Sequence, residues 1–112
     1  MDYYGLKIKL IIKLTSMEIK TAQNLVYEHL VKIGYTKSET TPIHAFLHLI
    51  EEVGETARAL LHQETKREKF ANSTKSGIIE DEIADIFWQT LKLASYLKID
   101  LNQAFQNKLE KN

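Results

Sequence analysis

Two pairs of acidic side chains have a spacing that allows them to act together. Glu52 and Glu55 lie three residues apart in "LIEEVGETARALL", and Glu82 and Asp85 repeat that spacing in "DEIADIFW". On a helix, residues three apart lie on one face and their side chains can interact. If the two helices pack together, four carboxylates converge, and repulsion would force some to protonate unless a cation binds. Since carboxylate oxygens are preferred ligands of magnesium, calcium and manganese, the spacing predicts a divalent-cation site.

Each acidic pair also has an ordinary explanation. A single pair of this kind on a helix is commonly part of a solvated face. Glu80, Asp81 and Glu82 lie near the start of the predicted third helix, where negative charge interacts favourably with the helix dipole. This second explanation does not apply to Glu52 and Glu55, because they lie mid-helix in an apolar background. The spacing alone therefore leaves both a metal site and solvated faces open.

Length and composition restrict the classes of protein that fit. The chain has 112 residues, of which 44% are apolar, enough for one domain with a modest core that association would help to stabilise. Fifteen basic residues balance fifteen acidic ones, which argues against a general nucleic-acid binder. Cysteine is absent, so disulfides, thiolate metal sites and cysteine nucleophiles are excluded. A reducing compartment is compatible with this composition, and we predict a cytoplasmic location.

Residues 1–16 are predicted to be an N-terminal extension of a domain that spans residues 17–112. The extension contains "GLKIKLIIKLT", in which lysines interrupt every apolar run. Its longest uninterrupted run, "LII", is too short for a signal peptide or a membrane span, so no membrane partner is expected. Because Lys7 and Lys9 alternate with apolar residues, a short edge strand is one possibility, and a disordered extension is the other.

After this extension the sequence predicts helices. A first helix is indicated by apolar residues at steps of three and four, with Thr15 and Glu18 as a possible capping box and Gly34 as a stop. The positions on its apolar face are Ile19, Ala22, Val26, Leu30 and Ile33.

Three further helices follow. Thr41 before Pro42 indicates the start of a helix that runs to about Thr65. A third helix is predicted from about Gly77 to Leu97, and Asp100 begins a fourth with Gln103 as its capping partner. The predicted fold class is therefore all-α, a four-helix bundle-like domain. Because the third helix is apolar over most of its circumference, we expect a homodimer or homotetramer to cover part of it.

Together these stretches resemble a known family. "LIEEVGETARAL", followed by "DEIADIFWQTLKLASYLKIDLNQAFQNKLEKN", is similar to the MazG-like branch of the all-α nucleoside triphosphate pyrophosphohydrolases. The family pattern is EExxE, then ExxD on the next long helix, then an aliphatic run and a C-terminal lysine–asparagine pair. The resemblance covers about residues 17–112. One departure is that family members often continue with a basic and an aromatic residue after the asparagine that corresponds to Asn112.

The resemblance implies a reaction and a set of site residues. The reaction would be magnesium-dependent hydrolysis of a nucleoside triphosphate to the monophosphate and pyrophosphate, with Mn2+ as an alternative metal. The implied metal ligands are Glu52, Glu55, Glu82 and Asp85. Glu51 is an additional acid for a second metal or for water, and either Glu51 or Glu55 could accept the proton of the attacking water.

Contacts to the substrate are the least determined part of this hypothesis. The candidate phosphate or sugar contacts are Lys108 and Asn112. Weaker candidates are Arg67, Lys69 and Lys75, for which solvated surface charge is the better explanation. His48 lies one turn before Glu52 and is a candidate nucleotide contact, although helix-surface histidines are common. Trp88 could stack on a base but is more typical of a core or subunit interface. Phe46 and Phe87 are predicted core residues.

Two other functions remain open at this stage. Phosphoribosyl-ATP pyrophosphohydrolases share the acidic plan and the bond that is cleaved, although "EEVGE" favours the MazG-like enzymes. A non-enzymatic helical oligomerisation module, in which the acids are surface charges, is the alternative from a different class.

Overall fold

Four helices make up most of the described part of the chain. The computed structural model describes residues 2–3, 5–7, 10, 17–34, 41–65 and 78–111. The helices are α1 (Ile19–Lys32), α2 (Pro42–Thr65), α3 (Ile78–Tyr96) and α4 (Leu101–Lys111). Helix α3 packs against both α1 and α2, and α4 returns to contact α1. The all-α prediction is confirmed for these residues.

The ends of the helices follow local sequence chemistry, with one exception. Gly34 has a φ of +83° just after α1, as expected for a glycine that stops a helix. The Thr41 hydroxyl accepts from the His44 backbone N–H at 3.5 Å, and Asp100 accepts from the Gln103 N–H at 3.1 Å. At the start of α1, Glu18 is the N-cap residue but makes no side-chain capping hydrogen bond. The predicted capping box is therefore not formed by Glu18, and Thr15 lies outside the described residues.

The apolar core lies between α1 and α3. Its buried members are Ala22, Val26 and Leu30 of α1 and Leu91 of α3, with Ile19 and Leu101 packed against it. The α1 residues recur at steps of four, so they form the single stripe that the sequence predicts. The predicted fifth member, Ile33, is exposed because the helix has ended by that point.

The interface between α2 and α3 has a different composition. The buried residues that α2 contributes are small: Ala45, Thr56 and Ala59. The large apolar residues of α2 point away from α3 and are exposed, among them Ile43, Phe46, Leu47, Ile50 and Val53. Small side chains allow the two helix backbones to approach closely, and the same face of α2 carries Glu52.

The prediction that Phe46 and Phe87 are core residues is wrong for the single chain. Phe46 is 43% exposed and Phe87 is 47% exposed. A helical period identifies the residues that share a face, but it does not identify which face another helix covers. Here Phe46 belongs to the outer face of α2, and Phe87 lies at the rim of two surface clefts.

The described residues of the N-terminal extension are helical. Tyr3, residues 5–7 and Leu10 have helical backbone, so an edge strand does not describe them. Lys7 forms an ion pair with Glu28 at 3.1 Å, and Asp2 pairs with Lys32. The extension therefore contacts α1 through charged side chains, and the boundary at residue 17 stays a prediction.

The turn between α3 and α4 is fixed by the backbone and by α1. The Ile99 N–H donates to the Ala94 carbonyl at 2.9 Å, which places Lys98 in the left-handed region with a φ of 57°. Gln23 of α1 donates to the Ile99 carbonyl at 2.7 Å and accepts from the Leu101 N–H at 3.1 Å. This one amide connects α1 to both sides of the turn.

Candidate metal centre

Three of the four predicted metal ligands converge between α2 and α3. Oxygens of Glu52, Glu82 and Asp85 all lie within 4.8 Å of one another. Glu52 comes from the middle of α2, and Glu82 and Asp85 come from the first two turns of α3. The antiparallel packing of the two helices brings these positions to the same level. The sequence spacing thus correctly identified residues that meet across the helix interface.

Two carboxylate oxygens of this cluster are satisfied by none of the described residues. The Oε2 atoms of Glu52 and Glu82 are buried and have no hydrogen-bond partner. Buried acceptors are normally satisfied, so a buried carboxylate oxygen without a partner is a place where a cation fits. Oxygen donors from three carboxylates also match the ligand chemistry of a hard divalent ion.

The electrostatics of the cluster agree with this interpretation. Burial raises the pKa of Glu52, and the nearby carboxylates of Glu55, Asp85 and Glu82 raise it further. Burial likewise raises the pKa of Glu82, and the negative charges of Glu55, Asp85 and Asp81 add to the shift. A bound divalent cation would reverse both effects, because it favours the ionised form of each carboxylate.

Glu55 lies beside the cluster, and Glu51 is the sequence neighbour of Glu52. Both residues are exposed. Glu55 acts electrostatically on Glu52 and on Glu82, so it lies near the three converging carboxylates although it is not one of them. Glu51 is the neighbour of Glu52 on α2 and faces solvent. Both predicted proton acceptors are therefore accessible to water.

A lysine that the sequence reading did not consider lies in the same helix interface. Lys92 is only 4% exposed and, with Thr56, is one of two buried polar side chains among the described residues. Its Nζ lies 3.5 Å from Nδ1 of His48 on α2. Burial lowers the pKa of Lys92. The sequence does hold a signal for it, since Lys92 follows Asp85 by seven residues and so lies on the same side of α3.

Trp88 lies at the edge of an apolar cleft between α1 and α3. Its ring meets that of His29 edge to face, with centroids 5.3 Å apart. The cleft has a volume of about 320 Å³. Trp88 remains 38% exposed, so it is not a core residue of the single chain. Base stacking and a subunit interface both stay open for it.

The other predicted substrate contacts lie elsewhere or outside the described residues. Lys108 lines an apolar groove of about 470 Å³ with residues of α1, α3 and α4, and none of the clustered carboxylates lines that groove. Asn112, Arg67, Lys69 and Lys75 lie outside the described residues. His48 is exposed, one turn from Glu52, as its spacing predicts. These substrate roles stay predictions.

Comparison with known proteins agrees with this geometry. Residues 40–112 match the model of the MazG nucleotide pyrophosphohydrolase domain. The match spans more than half of the chain, so the protein belongs to this family. Searches of curated proteins and of solved structures found no significant match.

The family match has consequences for activity and metal use. It supports nucleotide pyrophosphohydrolase activity in general terms, in a family that depends on divalent metals. The cluster of Glu52, Glu82 and Asp85 can hold such a metal. Among the helices that the structure describes, none combines the length and apolar character that crossing a membrane requires.

Proposed function

We propose that the protein is a magnesium-dependent nucleoside triphosphate pyrophosphohydrolase that acts on NTPs or dNTPs, including non-standard ones. The products would be the nucleoside monophosphate and pyrophosphate. The observation that carries this proposal is the convergence of Glu52, Glu82 and Asp85, two of which have buried oxygens without partners, in a chain of the MazG family.

The position of each carboxylate suggests its role in binding the metal. Glu52, Glu82 and Asp85 would bind the metal, and Glu55, beside them, would complete the set. Bound Mg2+, or Mn2+ in its place, would neutralise charge on the phosphate oxygens and activate a water molecule.

Proton transfer would fall to an exposed acid. Water attacks the α-phosphorus, the bond between that phosphorus and the bridging oxygen breaks, and pyrophosphate leaves. Glu51 or Glu55 would accept the proton that the water loses, because both are exposed and Glu55 lies beside the cluster. Lys108, Asn112 and His48 remain the proposed substrate contacts. Lys108 lines a groove that the clustered carboxylates do not share, so it would act on substrate held by another subunit.

Association of subunits is part of the proposal. The outer face of α2 exposes a row of large apolar residues that includes Phe46, Leu47 and Ile50. A contiguous apolar surface on a small domain is typical of an interaction site. A homodimer or homotetramer would cover it, and we propose that the assembled enzyme acts on nucleotides in the cytoplasm.

The test is a panel of nucleotides with pyrophosphate release as the readout. Wild-type protein is assayed with each canonical NTP and dNTP, with non-standard nucleotides and with phosphoribosyl-ATP, in the presence of Mg2+ and of a chelator. Glu52→Gln removes one ligand charge with little change of shape, and we expect at least a ~100-fold loss of activity, as for damage to other metal sites. Glu64→Gln is the matched control, because Glu64 is exposed near the end of the same helix.

Each outcome of the panel separates the hypotheses. Magnesium-dependent release that Glu52→Gln abolishes and Glu64→Gln preserves supports the proposal. Release from phosphoribosyl-ATP alone would assign the chain to the alternative substrate. Absence of release from every nucleotide would favour a non-enzymatic module.

A further inference from the structure

A glutamine continues the row of acids on helix α3. Gln89 follows Asp85 by four residues and Glu82 by seven, so the three side chains share one side of the helix. Long side chains on a helix lean toward its N-terminus, and both acids lie in that direction from Gln89. The Gln89 amide is therefore directed along α3 toward the acidic cluster.

Contacts before and after Gln89 show that this part of α3 faces α2. One turn before it, an oxygen of Asp85 lies within 4.8 Å of an oxygen of Glu52. Three residues after it, Lys92 Nζ lies 3.5 Å from Nδ1 of His48, which precedes Glu52 by one turn of α2. Gln89 thus lies in the interface between these two contacts, next to the cluster.

The amide oxygen of Gln89 is buried, and none of the described residues forms a hydrogen bond with it. The described residues hold three other buried side-chain oxygens in this condition, and two of them are Glu52 Oε2 and Glu82 Oε2 of the cluster. The remaining one is Ser95 Oγ, six residues beyond Gln89 and on another side of α3. Because an unsatisfied buried acceptor is costly, three of them in one interface indicate that a shared ligand satisfies them.

The chemistry of these three oxygens favours a cation as that ligand. Two are carboxylate oxygens and the third is an amide oxygen, and a hard divalent cation binds both kinds. An amide oxygen also adds a ligand without adding negative charge. That matters here, because the carboxylates around Glu52 already repel one another.

We propose that Gln89 is a further ligand of the divalent cation, which it binds through Oε1 as a neutral oxygen beside Glu52, Glu82 and Asp85. This inference rests on the proposed function and adds a residue to its metal site. It makes the amide of Gln89 dispensable for folding and necessary for tight metal binding. A glutamine that only supported the helix interface would show the opposite pattern.

Calorimetric titration with Mg2+ and with Mn2+, in the absence of nucleotide, measures the metal affinity directly. Gln89→Met keeps the length of the side chain and removes its oxygen. We expect the Kd of both ions to rise about tenfold or more, the size of loss that follows damage around a metal site. Gln89→Glu keeps an oxygen and should bind at least as tightly as wild type. Gln63→Met, at an exposed position of α2, is the matched control and should leave both Kd values unchanged.

Melting temperatures in a chelator separate metal binding from a structural role. Gln89→Met should melt no lower than wild type, because it removes a buried acceptor that has no partner. Gln89→Glu should melt lower, because it adds a carboxylate to the cluster. A lower melting temperature of Gln89→Met, or its failure to fold, would show that the amide supports the interface itself and would overturn the inference.

Failure of this inference can be told apart from failure of the proposed function. Equal metal affinity in Gln89→Met and wild type overturns the inference, and Mg2+-dependent pyrophosphate release by wild type then leaves the proposed function intact. A raised KM for nucleotide with unchanged metal affinity would assign the amide to the substrate and also overturns the inference. Absence of metal binding by wild type rejects both.

Discussion

Helix α3 has two interfaces of opposite chemistry. Its contact with α1 is apolar and encloses Leu91 among Ala22, Val26 and Leu30. Its contact with α2 combines small residues with Glu52, Glu82 and the buried Lys92. The first interface removes apolar surface from water and so stabilises the fold. The second holds charges that destabilise the fold unless they are balanced, which is typical of a functional site.

The largest expected change in stability comes from the apolar interface. Leu91→Ala removes the most deeply buried large side chain, which is 2% exposed, and should lower the free energy of unfolding by ~3 kcal/mol. Urea denaturation followed by circular dichroism measures it. Leu109→Ala, at an exposed position of α4, is the control and should cost less than ~1 kcal/mol. Equal losses in the two variants would contradict the division of roles between the interfaces.

Removing a charged side chain from the polar interface should stabilise the fold, whereas removing Leu91 from the apolar interface destabilises it. In the presence of a chelator, Glu82→Gln removes one repelling carboxylate and should raise the melting temperature. The pKa of Glu82 is raised above its ordinary value of 4.5, so the folded protein binds its proton more tightly than the unfolded chain does. The contribution of Glu82 to the free energy of unfolding is therefore most favourable at low pH, where its carboxyl is protonated. That contribution is lost as the pH rises through the raised pKa and the carboxyl ionises.

The pH dependence supplies the check on this second prediction. The difference in melting temperature between Glu82→Gln and wild type should be largest at neutral pH and should shrink as pH falls toward 4.5. A difference that grows on acidification would show that Glu82 is stabilised as a carboxylate by partners within the apo protein.

The smallest effect concerns the turn that ends α3 and rests on Gln23 of α1. Lys98 has a φ of 57°, which disfavours a side chain but not glycine. Lys98→Gly should raise the free energy of unfolding by ~1 kcal/mol. Lys20→Gly, within the first turn of α1, should lower it instead, and a loss in both variants would show that the turn does not need the left-handed conformation.

The sequence predicts the two interfaces unequally well. The start of α2 at Thr41–Pro42 and the apolar stripe of α1 depend only on residues close together in the sequence. Local sequence patterns are therefore enough to predict them. The pairing of Glu52 with Glu82 can also be predicted from the sequence. Two acidic pairs with the same spacing will meet if their helices pack antiparallel.

The burial pattern of α2 could not be read in this way. Its large apolar residues suggested a core stripe, yet small residues and Glu52 face α3, and Phe46 is exposed. Which face is covered depends on the register and rotation of two helices, which periodicity does not fix. The burial of Lys92 is equally hard to predict. A lysine in "LKLAS" is usually assigned to solvent, and only the rotation of α3 against α2 shows that this one is buried.

Calorimetric titration of Mg2+ tests the central claim, that the polar interface of α3 is a divalent-cation site. The account predicts saturable binding to wild type that raises its melting temperature, and loss of both effects in Glu82→Gln. The exposed control Glu64→Gln should bind as wild type does. Equal binding by Glu82→Gln and wild type, or no binding to wild type, would contradict the assignment of Glu52, Glu82 and Asp85 as metal ligands.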